Sequence, residues 1–235
     1  MSKILALDAS TEGCSVALGI DEDVEMLMEV APQAHTKLML PMVDKLLKSK
    51  NITLRDLDYI ACGKGPGSFT GVRIGVSFAQ GLAFGSDLKV IGIGDLEAMS
   101  WQAMQDTNLN VALAAIDARM GEVYLGIYAN IDGNIKKLSD DVVKKPEEAR
   151  ALILAVLEQH NVTSDIAVIG TGFETYPEII QGFDAKKANS NLPNAKAILE
   201  LASQRTSEAL EPKNVLPLYV RDTVTWKKVS EQHKN

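Results

Sequence analysis

The alternation of apolar and polar positions divides the chain into short segments of two different periods. Ile4 to Asp8 is an apolar run ending on an acid, Ala9 to Gly13 is a tight polar loop, and Cys14 to Ile20 is apolar again. This predicts a hairpin of buried strands with an aspartate at the tip of the first. A third strand, Val24 to Val30, follows the acidic turn Asp21-Glu22-Asp23. The period then changes. Met39, Met42, Val43 and Leu46 fall at i, i+3, i+4 and i+7, which predicts a helix with Pro41 either in its first turn or kinking it. Tyr59 to Gly63 predicts a short strand running into the loop Gly63-Lys64-Gly65-Pro66-Gly67-Ser68, with Ser68 placed to cap a helix of about Thr70 to Phe84. Gly71, Gly75, Ala79 and Ala83 form a small-residue stripe on that helix, open to close packing by a helix of this chain or of another.

The hairpin recurs. Ala6-Leu7-Asp8-Ala9 followed by Leu18-Gly19-Ile20 returns as Ala115-Ile116-Asp117-Ala118 followed by Leu125-Gly126-Ile127, with the loop two residues shorter. This predicts a duplicated lobe. The second copy continues through the turn Asp132-Gly133-Asn134, a helix from Pro146-Glu147 to just before His160, a strand Asp165 to Ile169 and a second glycine loop, Gly170-Thr171-Gly172. Helices near Tyr176 and from Ala195 to Gln204 follow, and the tail Leu216 to Lys228 has no counterpart in the first half.

With 46% hydrophobic and 23% charged residues among 235, the chain has the material for a sizeable core, and its apolar runs fall far short of the ~20 residues of a membrane helix. Met1 leads straight into the first strand without a signal-like core, so a cytoplasmic protein is expected. Cys14 and Cys62 lie in apolar segments and read as buried thiols. The net charge of -7 argues against nucleic-acid binding by bulk positive charge. The charge is uneven, however: residues 1–185 carry 15 basic and 26 acidic side chains, residues 186–235 carry 9 and 5.

An aspartate at a strand end, followed by a tight turn of small residues, directs a carboxylate and backbone N–H groups to one point, as a phosphate and metal-water site requires. Asp8-Ala9-Ser10-Thr11 and Asp117-Ala118-Arg119 form such a pair facing a cleft, unless each acid serves only its own turn. The loop containing Gly65, Gly67 and Ser68 departs from the P-loop pattern because Lys64 precedes the last glycine; it is either an anion nest or a conformational device. His35 and Met39 have the spacing of a two-ligand metal motif, but a thioether is a poor second ligand, so no metal is expected. His160 and His233 have no recognisable catalytic partners. The aromatics and cations of Tyr219 to Lys228 read either as an RNA contact or as an exposed basic tail with anchoring rings.

Taken together, the duplicated hairpins, the run Gly65-Pro66-Gly67-Ser68-Phe69-Thr70-Gly71-Val72-Arg73-Ile74-Gly75, the stretch Asp117-Ala118-Arg119-Met120-Gly121-Glu122-Val123-Tyr124 and the C-terminal Tyr219-Val220-Arg221 closely resemble the bacterial TsaB (YeaZ) family over essentially the whole chain. The resemblance implies an α/β protein of two-lobed actin/Hsp70/sugar-kinase-like fold, with a duplicated mixed β-sheet and flanking helices. It divides the chain into an N-terminal lobe 1–105, a C-terminal lobe 106–215 and a basic tail 216–235. It implies a non-catalytic scaffold or activating subunit that binds TsaD, with TsaE joining, for transfer of threonylcarbamoyl from threonylcarbamoyl-AMP, which TsaC supplies, to N6 of the tRNA adenosine beside the anticodon. TsaD holds its metal through two histidines one helical turn apart; the matching region here reads His35-Thr36-Lys37-Leu38-Met39. Ala9 and Arg119 stand where ATP-hydrolysing relatives have glycine, so no cofactor of its own is expected, with ATP or ADP confined to the partner interface. The partner-docking helices would present Met39, Met42, Val43, Leu46, Gly71, Arg73, Gly75, Phe78, Ala79 and Ala83, to TsaD or, in its absence, to a second copy. Contact with tRNA would be indirect, and no membrane is involved. The rival readings are a small-molecule kinase or ATPase of the same superfamily, supported by Asp8, Asp117 and the Gly170-Thr171-Gly172 loop, a glycoprotein peptidase, and a tRNA-binding module built on the basic tail.

Overall fold

The computed structural model describes residues 2–221. The predicted tail beyond Arg221, with Trp226, Lys227, Lys228 and His233, lies outside the described residues. The first half runs β1 (Ile4–Asp8), β2 (Gly13–Ile20), β3 (Asp23–Val30), α1 (His35–Ser49), β4 (Tyr59–Gly63), α2 (Phe69–Ser86), β5 (Lys89–Ile93) and α3 (Asp95–Thr107). The second half repeats the plan with β6 (Val111–Arg119), β7 (Glu122–Ile131), β8 (Asn134–Lys137), β9 (Val142–Lys144), α4 (Pro146–Gln159), β10 (Ile166–Ile169), α5 (Thr171–Thr175), β11 (Ala185–Lys187) and α6 (Ala195–Ser203). The first sheet has the order β3-β2-β1-β4-β5 and the second β8-β7-β6-β10-β11, with β9 added beside β7. In each, the hairpin strands pair antiparallel and the later strands pair parallel, so β1 and β6 occupy the same central place.

Strand periodicity of two explains the core. On β1, Leu5 and Leu7 point to one face and pack with Met39, Val43, Leu46, Val72 and Val76 of α1 and α2. Ile4 and Ala6 point to the other and join Leu96, Met99, Ile198 and Leu201 of α3 and α6. The second sheet repeats this: Leu113 and Ala115 face Ile153, Leu157 and Phe173, whereas Ala112 and Ala114 face the shared middle layer. The inner faces are rich in alanine (Ala6, Ala17, Ala61, Ala112, Ala114, Ala167), which admits two helices between the sheets at close range.

Those helices are exchanged. α3, from the first half, covers the second sheet, and α6, from the second half, covers the first. Trp101 Nε1 donates to Glu200 Oε2 at 2.7 Å, and Arg205 grips Glu97 with two bonds of 3.1 and 2.6 Å, tying the pair to each other. The lobe boundary near residue 105 therefore falls within α3. The chain after α6 also returns to the first lobe, where Leu210 and Val90 exchange backbone bonds of 2.9 Å. No helix among the described residues is long and apolar enough to cross a membrane.

The docking expectation needs correction here. Met39, Met42, Val43, Leu46, Gly71, Gly75, Ala79 and Ala83 are all buried, packed on the first lobe's own sheet, so the small-residue stripe serves close approach to β1 and β4 within the chain. Of the predicted set, Arg73 is exposed and Phe78 half-buried. Pro41 is neither in the first turn nor buried; it lies inside α1 on the solvent side.

Gly71 shows what the stripe does: a Cβ there would collide with the Ala9 carbonyl oxygen. Gly71→Ala is expected to cost about 1–3 kcal/mol of stability by overpacking. Gly81→Ala, on the open side of the same helix, should instead gain up to about 1 kcal/mol from helix propensity. Urea unfolding of both variants checks the pair of opposite signs.

Candidate functional site

The two hairpins end differently. At the first, the turn after β1 is roofed by the glycine loop and the start of α2. Ser68 N–H donates to the Ser10 carbonyl at 2.7 Å, the Ser68 hydroxyl caps α2 by accepting from Gly71 N–H at 2.9 Å, and Gly71 lies against Ala9. Asp8 and Ser10 are buried beneath this roof, and the Asp8 carboxylate accepts the Ser10 N–H at 3.3 Å.

Asp8 has a partner that sequence reading missed. Asp95, the first residue of α3, is fully buried, and its carboxyl and that of Asp8 both turn to the same point above Gly63, where any side chain would strike both groups. Gly65 N–H donates to the second Asp95 oxygen. Burial pushes the Asp8 carboxyl above its ordinary range, while hydrogen bonding with Asp95 works against that rise. Asp95 is pushed well above its ordinary value by burial first and then by the neighbouring Asp8 charge, so the pair keeps a proton to higher pH than free carboxyls do. Burial, reinforced by these two acids, also raises the Cys62 thiol to about 12, and burial with the charges of Asp8 and Glu29 raises Cys14 to about 11. Neither thiol is reactive at neutral pH. The available signal for Asp95 was a strand, a glycine and then Asp95 and Glu97 in the first turn of a helix.

At the second hairpin the tip is open. Asp117 N–H donates to Thr171 Oγ1 at 3.2 Å, fixing the hairpin to α5. Arg119 N–H returns to Asp117 Oδ1 at 2.9 Å, its guanidinium pairs with Asp117 at 2.9 Å, and it reaches Glu12 of the first hairpin at 3.3 Å. The glycine loop Gly170-Thr171-Gly172 is thus the start of α5, with Thr171 spent on that bond.

Between the hairpins lies a cleft of about 1040 Å³. Of the residues expected there, Thr11, Gly67, Ser68, Asp117 and Arg119 line it, whereas Asp8, Ser10 and Gly65 do not. The roof over the first turn is the reason: it turns those groups into the interior. Lining residues absent from the expectation include Glu12, Phe69, Thr171, Glu174 and the C-terminal Leu218 to Arg221. At the first turn the Ser10 N–H is turned to the buried Asp8 carboxylate and away from the cleft.

Duplicated strand-acid-turn hairpins, central parallel strands and a cleft between lobes define a two-lobed α/β protein built on a duplicated mixed sheet. Residues 27–229 match the family model described as TsaD: tRNA N6-adenosine threonylcarbamoyltransferase. The tRNA threonylcarbamoyladenosine biosynthesis protein TsaB of Escherichia coli (strain K12) is 38% identical, the match covering 97% of this chain and 98% of that one. TsaB of Haemophilus influenzae is 38% identical over 96% of each. Among solved structures, YeaZ from Pseudomonas aeruginosa superposes with a TM-score of 0.80 at 35% identity, covering 93% of this chain and all of the other. The chain belongs to the TsaB (YeaZ) family.

The acid pair makes stability depend on pH. Unfolded, both carboxyls ionise near 3.8; folded, one proton is held to higher pH, so the native state binds more protons and loses stability as pH rises from about 4 through the folded titration. Asp95→Asn offers an acceptor for Gly65 N–H and a donor for Asp8 without the ionisation. Melting curves between about pH 5 and 8 should show a falling Tm for the native chain and a flatter profile for Asp95→Asn.

Proposed function

We propose that this chain is a non-catalytic, positioning subunit of tRNA threonylcarbamoyladenosine synthesis in the cytoplasm, docked on a TsaD partner that carries out the transfer, with TsaE joining the assembly. The observation that carries the reading is the sealed first turn: the acid that would organise phosphate and metal-bound water is buried beside the equally buried Asp95 carboxyl. The second turn supports it, because Asp117 is committed to Arg119. An ATP or ADP used by the assembly is placed at the joint with the partner, and tRNA contact falls mainly to that partner.

The docking surface is the outward side of α1 and α2, which keeps Arg73 and Phe78 of the residues the sequence suggested and leaves the other eight on the buried side. Leu40 of α1 is 55% and Phe84 of α2 84% exposed, and α2 also exposes Arg73 and Ser77 and leaves Phe78 half-buried. Large apolar side chains this open to water suit a surface another chain covers. Without TsaD the same face would pair with a second copy.

Tagged chain should retain TsaD on a column, while Phe84→Asp, combined with Leu40→Asp, should abolish retention with an unchanged melting curve; undiminished retention would sink the docking assignment. Incubated alone with ATP and magnesium, the chain should release no more phosphate than a heat-inactivated control. In the assembled system, Asp117→Ala should leave threonylcarbamoyl transfer within about twofold, the change expected of a residue outside the reacting atoms. A loss of several orders of magnitude would favour the kinase or ATPase reading.

A further inference from the structure

The segment after α6 does not finish on one lobe. Val215 is buried with the outer core of the first lobe, and its carbonyl accepts from the Gln80 amide of α2 at 2.9 Å. Leu218 N–H donates to the Lys64 carbonyl at 2.6 Å. Arg73 Nε donates to the Tyr219 hydroxyl at 2.8 Å, with its guanidinium 3.5 Å above the Phe69 ring and 5.7 Å from that of Tyr219. Arg221 then crosses to the second lobe, pairing with Glu122 and donating to the Ala118 carbonyl at 3.5 Å, on the hairpin that carries Asp117. The chain end therefore lines one side of the cleft and is pinned to both lobes.

Two features separate this from a chain end resting on a surface. The side chains of Arg221 and Glu122 are only 20% and 32% exposed, so solvent screens the pair less than it screens an open one. Arg73, which holds Tyr219, is also in the outward row of α2 that runs through Ser77 and Gly81 to Phe84 at i, i+4, i+8 and i+11. We propose that Leu216–Arg221 is an interlobe clasp that fixes the opening of the cleft, and that Arg73 couples its seating to occupation of the outward face of α2 by a protein partner. The coupling rests on the docking reading given above; the clasp does not. A partner covering α2 removes water from the Phe69–Arg73–Tyr219 stack, which strengthens it and favours the seated clasp. By linkage, the seated clasp strengthens docking by the same factor.

Amide hydrogen exchange on the full-length chain tests the clasp. In Arg221→Ala, exchange should rise about fivefold at the hairpin tip 118–122 and also at Leu218 and in the loop 64–68 of the other lobe. A rise confined to 118–122 overturns the clasp and leaves Arg221 a local ion pair. Adding TsaD to the native chain should slow exchange at Leu218, and Arg221→Ala should weaken the complex about fivefold. If Phe84→Asp abolishes the complex but Arg221→Ala leaves it unweakened, the coupling is overturned and the docking reading stands. If Phe84→Asp binds like the native chain, the docking reading and the coupling with it fall, and exchange in the free chain still decides the clasp.

Discussion

The structure depends on the layer in which α3 and α6 lie between the two sheets. Each helix is contributed by one half of the chain and covers the sheet of the other, so neither half has a complete core alone. The Trp101–Glu200 bond joins α3 to α6 and the two-bond Arg205–Glu97 grip joins α3 to the turn just after α6, and a bidentate arginine–carboxylate pair fixes orientation as well as contact. This layer sets the relation of the two lobes and places the hairpin tips across one cleft. It also positions Asp95, because the first residue of α3 emerges directly beneath β1.

The buried acid pair follows from that placement. A strand-end aspartate in an open turn can serve phosphate or metal chemistry; one roofed by α2 and facing a second carboxyl cannot ionise freely and becomes an internal hydrogen-bonding group. The groups that seal it are the same ones that made the sequence look like an anion site. Ser68 is occupied as a helix cap, and Gly71 is small so that α2 can press on the Ala9 carbonyl. Close packing and an accessible phosphate turn compete for the same backbone, and here packing has won.

Much of the fold could be read from the residues. The strands of both hairpins, α1, α2, α4, β10 and α6 all carry clear periods or caps, and the repeated Ala-Leu/Ile-Asp-Ala signature announced the duplication. The interval from Lys89 to Thr107 was silent for a physical reason: β5 is five residues long, and nearly every position of α3 from Asp95 to Met104 is buried between the sheets, leaving no polar face to mark a helical period. Eight of the ten residues expected to dock are instead buried in the chain's own core, for a related reason. An apolar stripe with small residues looks alike whether the neighbour is one's own sheet or another chain, and burial decides it. The clasp residues Leu218, Tyr219 and Arg221 were visible as aromatic and cationic, but their contacts lie about a hundred residues or more away in sequence and carry no local signal.

The duplication makes the differences between the lobes informative. α2 has 18 residues and closes over the first turn, whereas its counterpart α5 has five and leaves the second turn open, with Arg119 and Met120 at positive φ around an exposed tip. The cations that approach the cleft from both sides are engaged within the chain: Arg73 with Tyr219, Arg119 with Asp117 and Glu12, Arg221 with Glu122. Arg119 and Arg221 are held by carboxylates, whereas Arg73 is held by a neutral hydroxyl and an aromatic face. What the arrangement retains is mechanical, since its bonds run from hairpin to hairpin and from the chain end to both lobes. Under the proposed function, that fixed relation of the lobes would serve a subunit against which another protein is positioned.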